Sequence, residues 1–259
     1  MGAGVSAMRL TVIGCAGSYP GPDSAASCYL LEADHEGRTW RVLIDLGSGA
    51  LGTLQQYVDP LTLDAVLLSH LHPDHYFDIS GLYVVWKYHP SGPQERIPVY
   101  GPAGVARQAA RAYGLPKEPG MSAEFDFREY DDAPIRLGPF TVKAVRVVHP
   151  VPAYGMRVEV GGRTLAYSGD TGPCSALVDL AKGADLLLAE AAFVEGGDNP
   201  ADLHLTGTEA GRAAHDAGVG RLVLTHIPPW HDREVALAEA RSTYSGPIEL
   251  AVTGATYEL

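Results

Sequence analysis

Short apolar blocks, several alternating with polar residues, recur along the chain. They predict strands over residues 9–14, 27–33, 39–46, 64–70, 140–149, 154–160, 164–170, 185–193, 221–226 and 248–254. Segments with apolar residues three or four apart lie between them and predict helices over 49–58, 78–88, 103–114, 174–183, 208–218 and 233–244. Thr206 and Glu209 have capping-box spacing at the start of the fifth helix, and Gly183 and Gly218 offer left-handed stops. The strand-rich order begins again after about residue 139 with no long linker. We therefore expect residues 1–259 to form a single domain with sheets inside and helices outside, and residues 1–7 to form a flexible N-terminal extension.

Composition narrows the function more than the fold. Hydrophobic residues at 46% and charged residues at 19% describe an ordinary globular chain, and 30 glycines with 19 prolines predict many turns. A net charge of −12, with lysines and arginines scattered singly, disfavours a nucleic-acid polymer as partner. A small anion remains compatible if metal ions supply positive charge locally. Three cysteines without a C-x-x-C pair fit reduced thiols and a cytoplasmic location, and no apolar run is long enough to span a membrane. The openings "MGAGVS" and "VIGC" resemble lipidation signals, but no basic, long-apolar leader accompanies them, and "RLTVIG" reads as a first buried strand.

The chemistry is concentrated in "SHLHPDH", residues 69–75, where His70, His72, Asp74 and His75 crowd one turn. Pro73 is expected to keep that turn out of regular helix. His149 in "VVHP", Asp170 in "YSGD" and His226 in "LTHIP" each follow another apolar run. One such residue alone is ordinary turn or core chemistry. Several strand ends finishing in nitrogen and oxygen donors point to a common metal centre. Seven donors exceed the needs of one tetrahedral ion and fit two divalent ions, zinc, manganese or iron. Of the other histidines, His35 and His215 are expected at the surface, whereas His89 and His231 could border a pocket. The Gly- and Ser-rich stretch 14–27 is expected to be a loop.

"GCAGS", "LLSHLHPDH", "AYSGDTG", "DLHLTGTEAG" and "LTHIPPW" together resemble the metallo-β-lactamase superfamily, in its ribonuclease Z-like branch. The likeness runs from about residue 8 to the C-terminus and is greatest to actinobacterial atypical class II cyclic-nucleotide phosphodiesterases. It implies a four-layer αββα sandwich with two mixed sheets and a site at one edge. It further implies that His70, His72 and His149 hold one metal, that Asp74, His75 and His226 hold the other, and that Asp170 bridges. His204 in "DLHLTG" matches a histidine beside the scissile phosphate, and Glu190 an acidic residue that orients it. Asp74, His204 and Glu190 are thus the catalytic candidates.

The activity implied is hydrolysis of 3′,5′-cyclic AMP to AMP by metal-activated water attacking phosphorus. A tRNA 3′-endonuclease of ribonuclease Z type is the first alternative. Such enzymes carry a protruding arm between the third histidine and the aspartate, whereas His149 and Asp170 here are 21 positions apart. A thioester or lactone hydrolase is a second alternative, distinguished by having no use for an acid at His204. A non-catalytic nucleotide or metal binder is a third, and would bind without turnover. Relatives also imply a possible homodimer, and the lack of a long apolar run leads us to expect no membrane partner.

Overall fold

A computed structural model describes residues 7–259. Of the expected N-terminal extension only Ala7 falls within them, and "MGAGVS" lies outside. In chain order the elements are β1 (Arg9–Ala16), β2 (Ala25–Ala26), β3 (Cys28–His35), β4 (Arg38–Ile44), α1 (Ala50–Leu54), β5 (Ala65–Leu67), α2 (Pro73–Tyr76) and α3 (Ile79–Tyr88). They continue as β6 (Ile97–Gly101), α4 (Val105–Tyr113), β7 (Phe125–Glu129), β8 (Ile135–Leu137), β9 (Phe140–Arg146), β10 (Tyr154–Val160) and β11 (Arg163–Tyr167). The chain closes with α5 (Ser175–Ala181), β12 (Leu186–Glu190), α6 (Gly207–Ala217), β13 (Leu222–Thr225), α7 (Arg233–Arg241), β14 (Ile248–Leu250) and β15 (Thr256–Glu258).

Two mixed sheets face each other, ordered β15-β1-β3-β4-β5-β6-β7, with β2 beside β1, and β14-β13-β12-β11-β10-β9-β8. Their central strands are largely apolar on both sides where both faces are covered. Val42 and Ile44 enter the core between the sheets while Leu43 packs under helices of the first sheet. Leu186 and Leu188 face the same central core, whereas Leu187 and Ala189 pack beneath α5 to α7. Small residues let those helices approach closely: a Cβ at Gly207 or Gly211 would collide with the backbone of α7. This is the αββα sandwich that the motifs imply.

Strand direction gathers the chemistry at one edge. β4, β5, β6 and β7 run parallel, as do β11, β12, β13 and β14. β9 and β11 both run antiparallel to β10, so β9 ends on the same side as β11. Parallel sheets present their C-terminal ends together, the usual place for a site in open α/β sheets.

Several boundaries differ from the sequence reading. The ladder stops at Leu67, Arg146, Tyr167, Glu190 and Thr225, so most donor residues lie in the loops just beyond. Pro73 does not prevent helix: it occupies the first turn of the short α2, where its missing N–H would have had no partner. The capping box at Thr206 and Glu209 forms, with reciprocal bonds of 3.2 and 2.9 Å. No helix among the described residues is long and apolar enough to cross a membrane.

Candidate metal centre

The turn after β5 is held from below by Asp45, which follows β4. Asp45 is fully buried and adopts a left-handed backbone, φ 57°, uncommon for a residue with a side chain. Its Oδ1 accepts the Ser69 N–H at 2.6 Å, and its Oδ2 accepts the hydroxyls of Ser69 and Tyr167, each at 2.8 Å. The same Oδ2 lies 2.7 Å from His75 Nδ1. Since Asp45 can only accept, His75 carries its proton on Nδ1 and turns the Nε2 lone pair the other way. Ser69 Oγ then accepts from His70 Nδ1 at 3.1 Å, leaving His70 Nε2 bare as well. Gly47 completes the packing, since the Asp74 carbonyl occupies the space a Cβ would need.

Two donor groups face each other across Asp170. His70, His72, His149 and Asp170 form one, and Asp74, His75, Asp170 and His226 the other, with donor atoms in each within 4.8 Å of one another. His72 Nδ1 lies 3.1 Å from His70 Nε2 and 3.2 Å from His149 Nε2. In the second group His75 Nε2 is 3.1 Å from His226 Nε2, which is 3.1 Å from Asp74 Oδ2. Atoms bound at 2.0–2.1 Å to a tetrahedral zinc would lie about 3.3–3.4 Å apart, close to these spacings. His149 is oriented by its other nitrogen, Nδ1, against the Leu203 carbonyl at 2.9 Å.

Electrostatics favours a cation here. Asp45, Asp74 and Asp170 are buried, yet none pairs with lysine or arginine among the described residues. Burial pushes His70, His72 and His149 below the ordinary histidine range, so they offer neutral lone pairs. Burial alone would neutralise Asp74 and Asp170, but surrounding histidines hold both carboxyls well below the usual range. Asp170 Oδ1 is buried without a hydrogen bond, although His75 Nε2 is 3.2 Å away. His75 is the exception: burial opposes its charge, but Asp170, Asp45 and Asp74 lift its proton affinity well above the ordinary range, a positive charge that a metal ion would replace. Three neutral imidazoles, ionised carboxylates and an orphaned carboxylate oxygen make a donor set suited to divalent metal.

His204 and Glu190 stand beside these groups. Glu190, at the end of β12, is fully buried rather than solvent-facing, and accepts the N–H of Thr171 at 2.8 Å. It also holds His204 Nδ1 at 2.9 Å. The His204 ring is 5.5 Å from the rings of both His149 and His226. Burial lowers its proton affinity, but the charge and hydrogen bond of Glu190 more than offset this and lift its pKa to about 9.

Every sequence-derived donor therefore reaches one edge of the sandwich. His35 and His215 are away from the cluster, and exposed His89 bonds Ser91 at 2.7 Å. His231 lines a separate cavity with Arg233, Ser24 and Asp23. Asp45 is the residue sequence reasoning missed. It follows the apolar run "RVLI", so the strand-end pattern used for the others also marks it.

A model of the β-lactamase superfamily domain matches residues 40–227. An uncharacterized protein of Mycobacterium tuberculosis is 45% identical to the chain, over 98% of this chain and 93% of that protein. The probable metallo-hydrolase YhfI of Bacillus subtilis is 33% identical over 97% of this chain and 100% of its own length. Its crystal structure, described as a metallo-β-lactamase fold protein, superimposes with a TM-score of 0.87, covering 98% of this chain and 100% of that one. A ribonuclease Z of Myxococcus xanthus is 32% identical over 98% of this chain and 99% of its own. Fold, donor set and these likenesses agree: the chain belongs to the β-lactamase superfamily and is a hydrolase of its metal-dependent kind.

Proposed function

We propose that the chain hydrolyses a small cyclic phosphodiester, 3′,5′-cyclic AMP, to the nucleoside monophosphate. The observation that carries this reading is His204, a histidine outside both donor groups whose ring lies 5.5 Å from His149 and from His226. With Nδ1 held by Glu190, His204 has Nε2 left to donate a proton to a departing ribose oxygen. In a cyclic diester that oxygen stays attached through the sugar, so cleavage opens the ring.

In this reading His70, His72 and His149 hold one divalent ion, Asp74, His75 and His226 the other, and Asp170 both. Such a pair supplies an acidified water and neutralises charge developing on phosphoryl oxygens. Zinc, manganese and iron all suit the donors. Asp74, within the second donor group, would take the proton released by the attacking water. Glu190 steadies His204 and keeps its proton in place against the repulsion of nearby cations.

Two features support a small substrate over tRNA. Between His149 and Asp170 the chain makes only the β10–β11 hairpin, turned at Gly161 and Gly162, which leaves no room for an arm. The alignment to the Myxococcus ribonuclease Z spans 311 positions against 259 residues here, so that protein carries segments this chain lacks. The 32% identity to it keeps tRNA as the second reading. The deciding experiment offers metal-reconstituted protein 3′,5′- and 2′,3′-cyclic nucleotides, a precursor tRNA and a thioester. Fastest turnover of 3′,5′-cyclic AMP is expected, and faster turnover of tRNA or thioester would overturn the proposal.

A further inference from the structure

Large aromatic rings left in water call for an explanation when they pair with each other on loops tied to a metal-donor residue. Tyr19 is 44% and Trp230 59% exposed, and their rings lie 5.2 Å apart at a 32° tilt. They come from different loops, one following β1 and one following β13. Those loops are fastened together. Ala16 bridges Ile227, and the Gly17 N–H donates to the Ile227 carbonyl at 3.2 Å. Gly17 cannot carry a side chain, because the His226 carbonyl fills the space a Cβ would take. Gly21 abuts the Pro229 ring, and the His231 N–H closes a turn onto the Pro228 carbonyl at 2.9 Å.

The pair is therefore tied to His226. Trp230 lies four residues beyond it, which limits the separation of their Cα atoms to about 14 Å. The other exposed tyrosines lack this link: Tyr57 follows α1 with its hydroxyl against Gly254, Tyr88 ends α3, and Tyr113 ends α4 against Tyr83. The groups assigned above all act on the phosphate and its leaving oxygen. None addresses the base, which is uncharged and offers a flat aromatic face. An aromatic face binds any base by stacking without needing charge.

We infer that Tyr19 and Trp230 form a stacking platform for the nucleobase, a subsite that rests on the cyclic-nucleotide reading of the metal centre. Stacking acts on the bound base and not on the breaking bond, so it enters KM and leaves kcat alone. Trp230→Ala should raise KM for cyclic AMP by about 5- to 150-fold, the range for losing a base–aromatic stack. Trp230→Phe, which retains an aromatic face, should restore most of it. A base-free ring, 1-O-methylribose 3′,5′-cyclic phosphate followed by phosphorus NMR, should show unaltered kinetics in Trp230→Ala.

A binding measurement separates this subsite from the activity. Tryptophan fluorescence of the metal-loaded protein should be quenched by AMP and not by ribose 5-phosphate, and Trp230→Phe should abolish the quench. Quenching without turnover of any cyclic nucleotide would sink the activity while supporting the platform. Turnover of cyclic AMP without quenching, or with equal loss on the base-free ring, would sink the platform. So would a Trp230→Ala protein whose only change is in oligomeric mass, which would make the pair a contact between copies.

Discussion

Asp45→Asn tests whether a buried carboxylate outside the donor groups sets their chemistry. Asparagine has nearly the same shape, so packing is preserved while one oxygen becomes an NH2 group. The Ser69 N–H at 2.6 Å cannot reverse its role, so the amide oxygen must take the Oδ1 position. The new NH2 then meets His75 Nδ1 at 2.7 Å and the Ser69 and Tyr167 hydroxyls at 2.8 Å. The hydroxyls can rotate. His75 can relieve the conflict only by moving its proton to Nε2, which removes the lone pair facing Asp74, Asp170 and His226. Orienting partners of this kind are worth about 10- to 100-fold in metal affinity, or about 1.4–2.7 kcal/mol. We expect that loss at the site of Asp74, His75 and His226, and a smaller one at the His70 site, reached only through Ser69. Competition with a chromophoric chelator measures both affinities, and thermal unfolding of metal-free protein checks the fold. Two affinities within twofold of the parent in a folded variant would refute the tautomer argument.

Three further outcomes follow from the same geometry. Asp170→Ala removes the one carboxylate shared by both donor groups and should lower metal content at both sites; elemental analysis still finding two ions per chain would refute a bridging role. His204→Ala should keep its metal but lose about 10²- to 10⁴-fold in turnover, and unchanged turnover would remove His204 from proton transfer. Finally, the His204 pKa in the metal-free fold is raised to about 9 by Glu190 against the opposing effect of burial. A raised pKa stabilises the fold fully below the unfolded value near 6.5 and ceases to do so above about 9. The stability advantage of metal-free parent over His204→Gln should therefore shrink between those pH values in denaturant titrations, and a constant difference would contradict the assignment.

The strands that could be read from sequence show either an apolar run or an alternation, as β9 and β10 do with one face partly in water. β1, β12, β13 and the C-terminal half of β4 are apolar runs because both of their faces are covered there. β6 was hidden by Pro98, and β7 by the charges of "FDFRE", which suit an edge position. β8 and β15, three residues each, are too short for any period to show.

Sequence by itself determined the kind of chemistry: which residues can donate to a metal, their crowding in "SHLHPDH", and their habit of following apolar runs. Those are local properties, set by residue type and spacing. Spacing alone left open which donors share a centre, and the family resemblance implied the division. The tertiary structure makes it physical by bringing His75 and His226, 151 positions apart, within 3.1 Å. It also decided that Asp45 and Glu190 are buried acceptors. A carboxylate's role depends on the donors around it, and those donors come from strands that the chain brings together only on folding.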